Sequence, residues 1–116
     1  MNRAVLLVDD DSLVRMVLSD MLIDLGFDVR EAGSPAEGFV TLEQAGKLDL
    51  LITDIFMPDM DGWTFAEQVR ANHPDLPVIY ITGYSSEADR PVNRARVLRK
   101  PFDQSAFVRV LTELLI

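Results

Sequence analysis

The 116-residue sequence contains no cysteine, which excludes disulfide bonds, thiolate metal sites and cysteine nucleophiles. It also lacks any apolar run near the roughly 20 residues that span a bilayer. Its first residues show neither the apolar core nor the cleavage site of a signal peptide. Proline and glycine, at six residues each, are too few for a low-complexity segment. We therefore expect a soluble, cytoplasmic, globular protein that does not enter a membrane.

Basic residues are scarce, since 11 lysines and arginines face 19 aspartates and glutamates and give a net charge of -8. A negative surface repels nucleic-acid phosphates and favours cations, so direct binding to nucleic acid is not expected. The length fits one domain with its own core. We expect residues 1–116 to form a single domain with no output domain.

Short apolar runs alternate with amphipathic segments along the whole chain. Strands are predicted at 4–9, 27–32, 48–55, 76–83 and 95–100. Helices are predicted at 12–25, 35–45, 63–72 and 104–115. Their start signals are Asp11 or Ser12 for the first helix, a capping box of Ser34, Pro35 and Glu37 for the second, and Asp103 for the last.

Two of these segments carry more detailed expectations. In the first helix an apolar face is predicted from helical spacing, comprising Val14, Val17, Leu18, Met21, Leu22 and Leu25. Between the fourth and fifth strands the chain has little apolar periodicity and a central Pro91. A helix there is expected to be short, distorted or missing.

Strands that alternate with helices form right-handed crossovers around a parallel sheet covered on both faces. We therefore expect a flavodoxin-like, doubly wound α/β fold with five parallel strands in the order 2-1-3-4-5. In such sheets the ligand crevice lies at the carboxyl ends of the strands. The residues at those ends are Asp9 and Asp10, then Asp54, Thr82 and Lys100.

The aspartates at these strand ends predict a metal site. Two carboxylates about 4 Å apart repel by roughly 4 kcal/mol at an effective dielectric constant of 20. A hard divalent cation such as Mg²⁺ cancels this repulsion and prefers oxygen ligands. Asp9, Asp10 and Asp54 are therefore the candidate ligands.

The remaining strand ends indicate phosphoryl chemistry. An ammonium group at Lys100 and a hydroxyl at Thr82 suit the oxygens of a transferring phosphoryl group. Asp54 is the candidate nucleophile, because carboxylates attack phosphorus to give acyl phosphates. Gly83 leaves space above the site through which a phosphoryl group can enter.

Four short motifs carry a resemblance to a known family: "VDD" (8–10), "DLLITDIFMPDMDG" (49–62), "ITG" (81–83) and "KPF" (100–102). In this order and spacing they resemble the CheY-like receiver domain of two-component response regulators. The resemblance implies that Asp54 is the phosphoacceptor. It further implies that Asp9, Asp10, Asp54 and the main-chain carbonyl of Phe56 hold Mg²⁺, while Thr82 and Lys100 contact the phosphoryl group.

The resemblance also implies partners and behaviour. The phosphoryl donor would be a histidine kinase or a histidine phosphotransfer protein, which contacts the first helix and the loop after Lys100 through Leu13, Arg15 and Phe102. The chain would be a switch rather than an enzyme, one that assists its own phosphorylation and dephosphorylation and acts on an unidentified downstream protein. Homodimer formation stays open. The Lys100–Pro101 bond is commonly cis in similar proteins.

The chain departs from the family pattern in two places: the segment between Thr82 and Lys100 is a few residues shorter than usual, and one position before Lys100 carries a different type of residue. Receivers that rotate a ring inward on phosphorylation carry an aromatic residue three positions before the lysine, where this chain has Val97. The usual relay from threonine to an aromatic ring is therefore in question here.

Three other functions are alternatives to a phosphoacceptor. A haloacid dehalogenase-type phosphatase needs a second aspartate two residues after the nucleophile, where Phe56 stands. A flavodoxin-like FMN carrier needs a hydroxyl- and glycine-rich loop after the first strand, where acids would repel the phosphate. A phosphorylation-independent interaction module with the same fold remains the alternative.

Overall fold

The structure is a computed structural model that describes residues 3–83, 92–100 and 102–115. The strands are β1 (Ala4–Val8), β2 (Asp28–Ala32), β3 (Leu50–Asp54), β4 (Val78–Thr82) and β5 (Ala95–Arg99). The described helices are α1 (Ser12–Asp24), α2 (Pro35–Ala45), α3 (Gly62–Asn72) and α4 (Gln104–Leu115). The irregular helix expected between β4 and β5 falls largely on residues 84–91, outside the described residues, as does the Lys100–Pro101 bond.

The five strands form one parallel sheet in the order β2-β1-β3-β4-β5, which confirms the predicted fold. Alternate residues of each strand point to opposite faces. On one face Leu7 and Ile52 pack with Leu22 of α1 and Phe107 of α4. On the other face the core includes Phe65 of α3, with residues of α2 packed against it. Two apolar cores thus hold the sheet between two layers of helices.

Local capping starts each helix beside the carboxyl ends of the strands. Asp11 caps α1, because its Oδ1 accepts from the amides of Leu13 (3.0 Å) and Val14 (3.3 Å). Ser34 Oγ accepts from the amide of Glu37 at 3.1 Å, and Asp103 Oδ1 accepts from the amide of Ala106 at 2.9 Å. The predicted caps of α1, α2 and α4 are therefore confirmed, with Asp11 rather than Ser12 in the first position.

The predicted apolar face of α1 is partly wrong. Leu18 and Leu22 are buried, with Val14 and Met21 packed against the same core. Val17 is 52% exposed, and Leu25, which follows the helix, is 38% exposed. Within the described residues, none of the helices combines the length and apolar character needed to cross a membrane.

Candidate functional site

The strand order brings the chemically distinctive strand ends to one edge of the sheet. Asp9 directly follows β1, and Asp54 is the last residue of the adjacent β3. Thr82 ends β4, and the amide of Lys100, just after β5, donates to the carbonyl of Thr82 at 2.7 Å. The predicted site residues therefore come from four neighbouring strands and lie along the same rim.

Three carboxylates meet at this rim. One oxygen each from Asp9, Asp10 and Asp54 lies within 4.8 Å of the others. Asp9 is 1% exposed, Asp54 is partly buried and Asp10 is exposed. The three residues predicted as metal ligands are therefore close enough to share one cation.

Two of these carboxylates have main-chain partners on one oxygen. Asp9 Oδ1 accepts from the amide of Asp11 at 2.9 Å, and Asp54 Oδ1 accepts from the amide of Ile55 at 2.8 Å. These bonds fix the direction in which each carboxylate points. The second oxygen of Asp9, Oδ2, is buried and has no hydrogen-bond partner within the described part of the chain.

Burial and the nearby negative charges raise the pKa values of Asp9 and Asp54. Burial, followed by the negative charge of Asp9, raises the pKa of Asp54 to about 6. Burial likewise raises the pKa of Asp9, while the Asp11 amide and the charge of Lys100 act in the opposite direction. Lys100 also lowers the pKa of Asp54, although less strongly than the amide of Ile55. The ammonium group therefore stabilises the charged form of both carboxylates.

The donor set at this rim fits a hard divalent cation. All the side-chain donors are oxygens, and Mg²⁺ takes oxygen ligands in preference to nitrogen or sulfur. A buried carboxylate oxygen that lacks a hydrogen bond carries a desolvation cost on the order of 1–3 kcal/mol, which a cation can relieve. Asp9, Asp10 and Asp54 could therefore hold such an ion.

Phe56 and Gly83 border this edge. Phe56, two residues after Asp54, has a side chain that is 52% exposed. Gly83 is exposed, and a Cβ added there would have no heavy atom of the described chain within 4 Å. Among the described residues, no side chain therefore fills the space next to Gly83.

Sequence reasoning missed the contribution of two residues. A Cβ at Gly62 would lie only 2.2 Å from the carbonyl oxygen of Asp54, so only glycine allows α3 to start this close to the end of β3. Arg15, in the first turn of α1, donates to the main-chain carbonyl of Asp9 at 2.6 Å. The glycine in "MDG" is a sequence signal for a close approach of two backbone segments, whereas no sequence signal indicates the contact of Arg15 with Asp9.

Known proteins resemble this chain over nearly its whole length. Residues 5–112 match the family model of the response regulator receiver domain. The sensor kinase CckA of Brucella abortus is 34% identical over 116 residues, which cover 96% of this chain but 12% of the kinase. The response regulator receiver protein CpdR of the same organism is 33% identical over 118 residues, which cover 98% of both chains.

Solved structures of receiver proteins have the same fold as this chain. The crystal structure of a response regulator receiver protein from Sinorhizobium medicae matches with a TM-score of 0.89 at 29% identity. The match covers 98% of this chain and 94% of that one. Together with the family model, these similarities show that the chain belongs to the receiver domains of two-component response regulators.

Proposed function

We propose that residues 1–116 act as one receiver domain, in which Asp54 accepts a phosphoryl group from a phosphorylated histidine. The donor would be a histidine kinase or a histidine phosphotransfer protein. The proposal is supported above all by the three carboxylates of Asp9, Asp10 and Asp54, whose oxygens lie within 4.8 Å at the carboxyl edge of the sheet. Phosphorylation would switch the binding of a downstream protein.

Asp9, Asp10 and Asp54, with the main-chain carbonyl of Phe56, would hold Mg²⁺ in this proposal. When bound, the ion supplies positive charge that offsets the carboxylates and the oxygens of the incoming phosphoryl group. The buried Oδ2 of Asp9, which lacks a hydrogen-bond partner among the described residues, supports this assignment.

Asp54 would be the nucleophile. An oxygen of its carboxylate forms a bond to phosphorus while the bond between phosphorus and the imidazole nitrogen breaks. The imidazole keeps the electron pair and takes up a proton from solvent. With a pKa of about 6, Asp54 is mostly ionised at neutral pH and so can attack.

Thr82 and Lys100 would bind the oxygens of the transferring group. Their strands are adjacent and joined by the bond from the Lys100 amide to the Thr82 carbonyl. The hydroxyl supplies a hydrogen-bond donor and the ammonium group a positive charge, the two kinds of group that stabilise this reaction. The open space beside Gly83 would admit the donor.

The surface of α1 supports an apolar docking site for the donor protein. Leu13, Met16 and Val17 are 64%, 53% and 52% exposed and share one face of the helix that begins beside the acidic cluster. Leu13 is thus available to a partner, whereas Arg15, also expected at the kinase contact, has its guanidinium bonded within the chain.

Acetyl phosphate with Mg²⁺, followed by intact-protein mass spectrometry, tests the proposal. The wild type is expected to gain one phosphoryl group and Asp54→Asn none. Asp59→Asn is the matched control, because Asp59 is exposed in the same connection, and its φ of 73° is one that asparagine also tolerates. A wild type that accepts no phosphoryl group from acetyl phosphate or from a phosphohistidine donor would favour the phosphorylation-independent interaction module.

A further inference from the structure

Arg15 links three parts of the chain beside the acidic cluster. Its Nη1 donates to the carbonyl oxygen of Asp9 at 2.6 Å, and its Nε donates to Glu31 Oε1, near the end of β2, at 3.2 Å. Its side chain is 21% exposed. A Cβ at Gly33 would lie 3.2 Å from Nη1, so the glycine leaves the room that the guanidinium occupies. The guanidinium of Arg15 is therefore held in a defined position.

The bond to Asp9 completes the restraint of that residue. The Asp9 amide donates to the carbonyl of Ala32 at 3.1 Å, and its Oδ1 accepts from the Asp11 amide. Arg15 holds the remaining main-chain group, the carbonyl. That carbonyl belongs to the peptide that joins Asp9 to Asp10, so its orientation influences the directions of two of the three carboxylates.

A restraint of this kind is needed because the Asp9 carboxylate is buried with one oxygen that lacks a hydrogen bond among the described residues. Since this oxygen, Oδ2, has no partner in the described chain, Asp9 would gain from a rotation of the Asp9–Asp10 peptide that turned its carboxylate towards water. A charge-assisted hydrogen bond to a main-chain carbonyl is roughly twice as strong as a neutral one, so Arg15 can oppose that rotation.

We propose that Arg15 is a positioning residue, which holds the Asp9–Asp10 peptide so that both carboxylates face a shared Mg²⁺. The inference rests on the proposed function. The two positively charged side chains near the acidic cluster then have different roles. Lys100 acts on the carboxylates through its charge, whereas Arg15 acts through the main chain.

Mg²⁺ titration of the full chain, followed by the fluorescence of Trp63, the single tryptophan, tests the proposal without any phosphoryl donor. Arg15→Ala is expected to raise the dissociation constant for Mg²⁺ by about tenfold, the usual result of losing a group that orients a metal ligand. Arg15→Lys, which can still reach the Asp9 carbonyl with one donor, should lose less. The lysine variant also carries the test if Arg15→Ala fails to fold.

Arg30→Ala is the matched control, because Arg30 lies on β2 and pairs only loosely with Asp28 at 3.7 Å, with both side chains about half exposed. Removing a positive charge alone makes the protein more negative and strengthens Mg²⁺ binding, the opposite of the effect expected for Arg15→Ala. An unchanged or lower dissociation constant in Arg15→Ala overturns the inference and leaves the proposed function intact. A wild type that binds no Mg²⁺ overturns both.

Discussion

The carboxyl and amino edges of the sheet differ in whether their polar side chains have hydrogen-bond partners. At the carboxyl edge, three carboxylates crowd together and one buried oxygen of Asp9 lacks a partner among the described residues. At the amino edge lies a cleft of about 430 Å³ whose charged lining has both signs. There Asp49 Oδ2 accepts from the amide of Ala4 at 2.8 Å, and Arg94 Nη1 donates to the carbonyl of Asp75 at 3.2 Å.

The difference distinguishes polar groups that stabilise the fold from the acidic groups that are proposed to bind a cation. Polar groups at the amino edge satisfy the main chain and join one element to the next. The carboxylates at the other edge are held close together against their mutual repulsion, a cost that a bound cation removes.

The largest effect is expected from the close backbone contact beneath the acidic edge. Gly62→Ala would place a Cβ 2.2 Å from the Asp54 carbonyl and should lower the free energy of unfolding by about 3 kcal/mol. Gly83→Ala, at the same edge but with no heavy atom of the described residues within 4 Å of the added Cβ, should change it by less than about 0.5 kcal/mol. Urea unfolding of both variants measures the difference, and equal losses would show that the backbone contact does not matter.

The second-largest effect is expected in the pH dependence of stability. In the folded, metal-free protein the pKa of Asp54 is about 6, against an ordinary value of 3.8, so folding strengthens proton binding. The stability that Asp54 contributes is therefore complete below its unfolded pKa and is lost as the pH rises through about 6. Between pH of about 4 and about 7, the wild type should lose on the order of 2 kcal/mol more than Asp54→Asn.

Chemical unfolding at a series of pH values, with a chelator present, measures this loss. Saturating Mg²⁺ should abolish it, because the cation stabilises the ionised carboxylates. Parallel pH profiles for wild type and Asp54→Asn in the chelator would contradict the raised pKa.

The smallest effects are opposite in sign at the two edges. Asp9→Asn keeps the acceptor for the Asp11 amide and replaces the unpartnered oxygen with a neutral amide nitrogen that can donate to a neighbouring carboxylate of Asp10 or Asp54, so the metal-free protein should become about 1 kcal/mol more stable. Asp49→Ala removes the acceptor of the Ala4 amide and should make the protein about 1 kcal/mol less stable. Thermal or urea unfolding without metal measures both, and changes of the same sign would remove the contrast between the edges.

Local chemistry explains how much the sequence could predict. Caps such as Asp11 and Ser34 depend on residues two or three positions away, and the structure confirms them. The strand ends could be placed at one edge because parallel strands share a direction, and the bond between Lys100 and Thr82 agrees with that placement. The roles assigned to these residues in phosphoryl transfer remain predictions.

Contacts that depend on packing could not be predicted. Spacing shows that Val17 lies on an apolar face of α1, but α1 has two such faces and spacing does not tell which one meets the sheet. The reach of Arg15 to the Asp9 carbonyl depends on a side-chain rotamer and on the room left by Gly33. The approach of Gly62 to Asp54 depends on where α3 meets the end of β3.

The start of α3 also bears on how the protein ages chemically. An aspartate followed by glycine isomerises when the glycine nitrogen attacks the aspartate side chain. Here the Asp61 carboxylate accepts from the Thr64 amide at 2.8 Å, and the Gly62 amide donates to the Ile55 carbonyl at 2.7 Å. Both reacting groups are engaged elsewhere, so isoaspartate formation at this bond should be slow unless the first turn of α3 opens.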